Sequence, residues 1–243
     1  MVRRTAAAAV VVPALVFSMT ACGGDGGGEK KGGGSGQEGG SGGEESAARS
    51  LSKAELKKAL LKTGDVSGYK VRGTGEDPLK NENLPSTQSK CQPVLDSFNP
   101  DAKQKRKAYV GASVMKGEMS TGQTFDQVLL ASYGGQDAES VLSDLKSSLK
   151  TCKEISGDGS GDKKVAIEEA QAPDLGDDAV RFLMKGGASK AGAMSLTVVR
   201  SGANTSSFMS LSLSGKQAQG KEPGVPPAVA KKQVAKVEAA AKG

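Results

Sequence analysis

Apolar residues recur at intervals of three and four in three stretches of the chain. In the first, Ser52-Lys53-Ala54-Glu55 has the form of a capping box, with Ser52 capping the amide of Glu55 and Glu55 returning to the amide of Ser52. Leu51 and Leu56 stand at the two positions of a hydrophobic staple, Leu56, Ala59 and Leu60 form one apolar face, and Gly64 is placed to stop the helix. A second helix is predicted from Asp137 to Cys152, where Ala138, Val141, Leu142, Leu145, Leu149 and Cys152 repeat on one side after the break at Gly134-Gly135. A third, from Pro227 to Ala241, starts after Pro226-Pro227 and carries Ala230, Val234, Val237 and Ala241 on one stripe.

Between these helices the period falls to two. Met194, Leu196 and Val198 alternate with Ser195, Thr197 and Val199, and Met209, Leu211 and Leu213 with Phe208, Ser210 and Ser212. Further strands are predicted at Tyr109 to Met115, Phe125 to Tyr133, Lys164 to Glu169 and Ala179 to Lys185. Short Gly-rich connections favour antiparallel meanders over parallel crossovers. The expected fold class is α+β: a twisted antiparallel sheet with packed helices, a sandwich, preceded by a disordered Gly-rich linker.

The first fifty residues fit no such pattern. Met1-Val2-Arg3-Arg4, an apolar run from Ala6 to Phe17 and small residues before Cys22 are the parts of a secretory signal. The run is too short to span a hydrocarbon core, which takes roughly 20 residues. Met19-Thr20-Ala21-Cys22 resembles the bacterial lipobox, in which the Cys receives a diacylglycerol before cleavage. The pair Arg3 and Arg4 raises twin-arginine export, but Ala6 and Ala7 supply no bulky apolar residue after it, which favours general secretion. From Gly23 to Ser50, 13 of 28 residues are Gly and apolar side chains are nearly absent, so nothing offsets the entropy of ordering. Such a coil spans about 30 Å root-mean-square and at most roughly 95 Å. The expected organisation is a signal peptide over 1–21, a lipidated Cys22 with a tether over 22–50, and one extracytoplasmic domain over 51–243 anchored to the outer face of the cell membrane.

Composition then narrows the chemistry. The 243 residues contain no His, which removes Ser-His-Asp and Cys-His catalysis, the usual zinc sites and any histidine base. No glycine-rich phosphate loop or nucleophile elbow is present, and neither catalytic residues, a metal nor a cofactor is assigned. Loss of Arg3 and Arg4 lowers the net charge from +6 to +4, too mild an excess to point to nucleic acid. With Cys22 lipidated, Cys91 and Cys152 remain as an even pair in an oxidising compartment, where a disulfide is the expectation.

Three smaller features have a plain reading and a functional one. Asp158, Ser160, Asp162 and Glu169 fall at positions 1, 3, 5 and 12 of a calcium loop, but Lys163 stands where the loop needs Gly, so a solvated turn is expected. Lys103, Lys105, Arg106 and Lys107 form a basic run that is either a solvated loop or a contact to lipid phosphates and anionic wall polymers. Asp65, Gly68 and Tyr69 read as a turn followed by a core aromatic.

Leu60-Leu61 with Asp65-Val66-Ser67-Gly68-Tyr69, a Cys at 91, a helix ending in Cys152, Leu175-Gly176-Asp177, and Val198-Val199-Arg200-Ser201-Gly202 together resemble the actinobacterial PknH-like extracellular sensor domain, which also occurs on lipoproteins without a kinase. The resemblance spans most of Ser50 to Gly243. The kinase-linked domain usually has two disulfides, and this chain can offer one. It implies an α/β sandwich with a cleft and an unidentified ligand, and brings no catalytic residues. A membrane-anchored, non-enzymatic ligand-binding or sensor-like lipoprotein is the expectation. A scaffold binding an envelope protein is the nearest alternative, and a carboxylate-based wall hydrolase a distant one.

Overall fold

The computed structural model describes residues 49–73, 88–117, 124–156, 164–186, 193–212 and 222–243. The segment before Arg49, with the lipobox, and Asp158, Ser160, Asp162 and Leu213 lie outside these residues.

Eight strands form one sheet: β1 (Tyr69–Gly73), β2 (Ala108–Lys116), β3 (Thr124–Ser132), β4 (Glu154–Ser156), β5 (Lys164–Ala170), β6 (Asp178–Gly186), β7 (Met194–Ser201) and β8 (Asn204–Ser212). Their order is β1-β2-β3-β8-β7-β6-β5-β4, antiparallel throughout. After β3 the chain leaves the sheet through a helix and re-enters at the far edge as β4. The meander β5 to β8 then returns until β8 pairs with β3. β7 and β8 are joined by the two residues Gly202 and Ala203, with Gly202 at φ 59°.

The helices are α1 (Lys53–Ala59), α2 (Gln92–Asp96) preceded by a 3₁₀ turn at Ser89–Cys91, α3 (Asp137–Thr151) and α4 (Pro227–Lys242). α1 has the expected cap. The Ser52 hydroxyl accepts from the Glu55 amide at 3.4 Å, and the Glu55 carboxylate accepts from the Ser52 amide at 2.8 Å. The helix ends at Ala59, earlier than Gly64 suggested, because Leu60 turns to extended backbone and Leu61 dives into the core. α3 and α4 match their predicted spans to within one residue, and the stripes named from the sequence are buried apart from the half-buried Val141. The short α2 and the edge strands β1 and β4 were not expected.

Strand alternation shows how these helices are placed. Val198 packs with Leu142, Leu145 and Leu149 of α3, whereas its neighbour Val199 packs with Val229, Val234 and Val237 of α4. Adjacent residues of one strand point to opposite faces, so α2 and α3 cover one face and α1 and α4 the other. The arrangement is the expected α+β class, an antiparallel sheet with packed helices, here one sheet with helices on both faces. It also explains why both sides of the central strands are buried, including Ser195, Thr197, Ser206 and Ser210 on the α4 side.

On the α3 face a disulfide joins Cys91 to Cys152, with Cα atoms 5.1 Å apart, and both residues are fully buried. It ties the 3₁₀ turn to the C-terminal cap of α3. The Ser148 hydroxyl donates to the Lys90 carbonyl beside it.

Candidate functional site

The motif segments quoted above, apart from Cys91 and the helix ending in Cys152, meet on the α4 side. Gly176 has φ +65°, and a Cβ there would stand 2.2 Å from the Arg200 carbonyl oxygen, so only glycine fits without displacing backbone. The Asp177 amide donates to that carbonyl at 2.8 Å, and the Asp177 carboxylate accepts from the Gly202 amide at 2.6 Å and lies 3.3 Å from the Arg200 guanidinium. Leu175-Gly176-Asp177 is therefore a clasp on the β7–β8 hairpin. It fixes the β5–β6 connection against the sheet and holds Leu175 near the first turn of α4.

That connection forms one wall of a cleft of about 500 Å³. Leu175 and Pro173 face Val225, Pro227 and Ala230 across it, and Arg181 and Thr197 lie on the sheet side. Arg181 and Thr197 are cross-strand partners on β6 and β7. The Arg181 Nη2 donates to the Pro223 carbonyl at 2.9 Å and lies 3.5 Å from the Glu222 carboxylate. The Arg181 side chain is 19 % exposed and Glu222 56 %. Lys231 and Asp174, both exposed, complete the rim. The cleft thus combines apolar walls with one recessed guanidinium, an arrangement suited to binding. Among the described residues Asp174 is its only lining carboxylate, so these residues supply no pair of carboxyls for acid-base work.

A second groove, of about 440 Å³, runs past α1 beside Leu60, Tyr109 and Gly111. Its cations, Lys53 and Lys57, are exposed to solvent, which screens them and leaves the groove without a recessed anchor.

Two amide side chains hold the α4 face together. Gln233 is fully buried, accepts from the Leu61 amide at 3.0 Å and donates to the Ala59 carbonyl at 2.9 Å, which joins the end of α1 to α4. Asn204, also fully buried, accepts from the Leu51 amide at 2.9 Å and donates to the Arg49 carbonyl at 2.8 Å. Arg49 and Ser50 thus precede α1 as part of the fold. Asp65 forms the expected turn by accepting from the Lys62 amide at 2.8 Å, and it also binds Lys236 of α4, whose ammonium holds the carboxyl below its usual range. Tyr69 is half-buried on β1 at the edge of this core.

A buried acid lies on the same face. Asp126, on β3, is 4 % exposed and accepts from the Ser210 hydroxyl across the β3–β8 ladder. Burial pushes its pKa up to about 6, opposed by the Ser210 bond. The next residue in that row, Ser195, is fully buried, and its hydroxyl has no partner among the described residues.

The fold is that of the extracellular domain of PknH. The similarity to that Mycobacterium tuberculosis structure has a TM-score of 0.51 at 7 % identity and covers 80 % of this chain and 98 % of the other. An uncharacterized protein from Mycobacterium smegmatis aligns over 78 % of this chain and 93 % of its own, with 15 % identity and a TM-score of 0.35. The sequence matches no protein-family profile and no curated protein.

The remaining sequence features fall away from the cleft. Within the basic run, Arg106 donates to the carbonyls of Asn99 at 2.6 Å and Asp96 at 3.0 Å, which caps the end of α2. Lys103 pairs with Asp144 at 3.0 Å, and Lys105 with Asp101 at 3.7 Å. Glu169 is an exposed strand residue of β5, opposite Phe182. Among the described residues no three His, Cys, Asp or Glu side chains converge as a metal site, and no helix is long and apolar enough to cross a membrane. Sequence reasoning missed Arg181, Gln233, Asn204 and Asp126. Gln233 and Asp126 each put one polar residue on an otherwise apolar face, beside Ala230, Val234 and Val237 or Val128 and Leu130, and that interruption is the signal that could have found them, whereas Arg181 and Asn204 carry no such mark.

Proposed function

We propose that the chain is the precursor of a lipoprotein, anchored through Cys22 to the outer face of the cell membrane, whose domain from Arg49 onward is a non-enzymatic ligand-binding module. The cleft above Arg181 is its binding site. The observation that carries this reading is the cleft itself: apolar walls fixed by the Leu175-Gly176-Asp177 clasp, a recessed guanidinium, and, among the described residues, no facing pair of carboxyls. The fold shared with the PknH extracellular domain supports a place outside the membrane. The lipobox-like Met19-Thr20-Ala21-Cys22 supports the anchor, and the Gly-rich segment after it supplies the reach. A tether of that kind raises the effective concentration of the domain toward molecules at the membrane surface.

Metabolic labelling with a fatty-acid analogue tests the anchor: the wild-type chain takes the label, and Cys22→Ala loses it together with the membrane fraction. Equal labelling of both removes the lipoprotein reading. For the domain, a thermal-shift screen against envelope lipids, wall fragments and secreted metabolites is run beside assays for their hydrolysis. A ligand that binds only the folded state raises its melting temperature by mass action. Turnover of a compound, abolished by replacing one Asp or Glu, overturns the binding module in favour of an enzyme.

A further inference from the structure

The make-up of the cleft narrows what it can hold, and we propose that its ligand is a single amphiphile with one anionic head, a carboxylate or phosphate monoester, on a slender apolar body. The inference rests on the reading of this cleft as the ligand site. A purely apolar occupant would strip water from the Arg181 guanidinium and return nothing to it, and a cation would add repulsion to that loss. An anionic head removes the penalty, because planar guanidinium donors match the paired oxygens of carboxylate and phosphate.

The guanidinium has donors to spare. Among the described residues only its Nη2 has protein partners, the Pro223 carbonyl and Glu222. Glu222 stands at 3.5 Å with more than half of its side chain in solvent, so the counter-charge is loosely held. We read it as the occupant that an incoming head group displaces. Gly224 keeps the guanidinium open: a Cβ at that position would stand 3.2 Å from Nη2 and 3.7 Å from Cζ. The head would therefore sit over Arg181, with Lys231 on the rim and the positive end of α4 beside it. Leu175, Val225 and Ala230 would take the apolar body.

The test uses the full-length chain in phosphatidylcholine nanodiscs and a photoreactive dodecanoate, with the cross-linked peptides mapped by mass spectrometry. Label is expected on the peptides around 172–175 and 225–231, and excess dodecanoate or dodecyl phosphate should compete it away where dodecanol does not. Arg181→Gln should lower labelling about tenfold, as expected for loss of a charge-assisted contact. Because Arg181 also holds Pro223, two exposed positions give an independent reading. Lys231→Glu should weaken labelling, and Glu222→Gln should strengthen it by removing the competing carboxylate. Equal competition by dodecanol, with Lys231→Glu and Glu222→Gln both unchanged, overturns the anionic ligand while leaving the cleft as a binding site. No label on these peptides from either the dodecanoate or a matching photoreactive dodecanol overturns the cleft reading itself.

Discussion

The two faces of the sheet are closed by different means. On the α3 face, Leu142, Leu145 and Leu149 pack against Ile167, Val180, Phe182, Leu196 and Val198, and the Cys91–Cys152 bond fastens the covering layer. On the α4 face an apolar core is interrupted by Asn204, Gln233, Asp126 and a series of serines, and the helices are held by side-chain amides bonding to backbone. The first face gains its stability from area and a covalent link. The second carries polar groups whose partners must be placed individually, and it is there that the larger cleft and its recessed cation occur. Among the described residues, buried polar side chains are more numerous on the α4 face than beside α3, where Ser148 bonds the Lys90 carbonyl.

The sharpest way to separate the faces is to cut the covalent link. Replacing Cys91 and Cys152 together by Ser, or reducing the bond, should lower stability by about 4 kcal/mol for a loop of 61 residues, measured by denaturant unfolding. The α3 face should loosen first, seen as faster amide exchange in α3 than in α4. Equal loss of protection on both faces would mean that the two layers unfold as one unit.

Asp126 tests the opposite face. Its folded pKa, raised to about 6 by burial, exceeds the unfolded value near 3.8. An acid shifted upward contributes stability that is fully present below the unfolded pKa and is lost as pH rises through the folded one, up to about 3 kcal/mol in total. The wild type should therefore lose stability between about pH 4 and pH 7, and Asp126→Asn should flatten that part of the profile, because the amide oxygen can still accept from Ser210. The measurement is melting temperature against pH for both proteins. Parallel profiles would show that Asp126 does not set the slope.

A smaller effect is expected from Gln233→Leu, which keeps the volume near α4 but orphans the Leu61 amide and the Ala59 carbonyl. A cost of about 2 kcal/mol follows from two buried groups without partners, offset in part by the added apolar side chain. Exchange should increase at the end of α1 and leave α3 unchanged. A neutral or stabilising result would mean that water reaches those groups and that the amide staple is dispensable.

Much of the secondary structure was legible because it follows from local chemistry. The Ser52–Glu55 box, the Leu stripe of α3 and the entry of α4 at Pro227 depend on residues three or four apart, and the strands on a period of two. The pairing of Cys91 with Cys152 was legible from parity and compartment. The cleft was not. Arg181 in the run Ala179 to Lys185 carries no mark of its depth, and Gly224 no mark of what it leaves uncovered. Leu175-Gly176-Asp177 and Val198 to Gly202 stood out as motifs, yet only their meeting shows that Gly176 and Asp177 clasp a hairpin.

By itself, then, the sequence determined the three longer amphipathic or capped helices and the six longer strands, and that histidine chemistry is absent, since these rest on short-range periodicity and composition. Only the tertiary structure decided that β8 closes onto β3, that helical layers cover both faces, and that a guanidinium lies recessed between α4 and the β5–β6 connection. Alternation along a strand records that its two sides differ but not what will cover each one. The covering depends on contacts such as Asn204 to Arg49 and Gln233 to Ala59, between residues more than 150 positions apart.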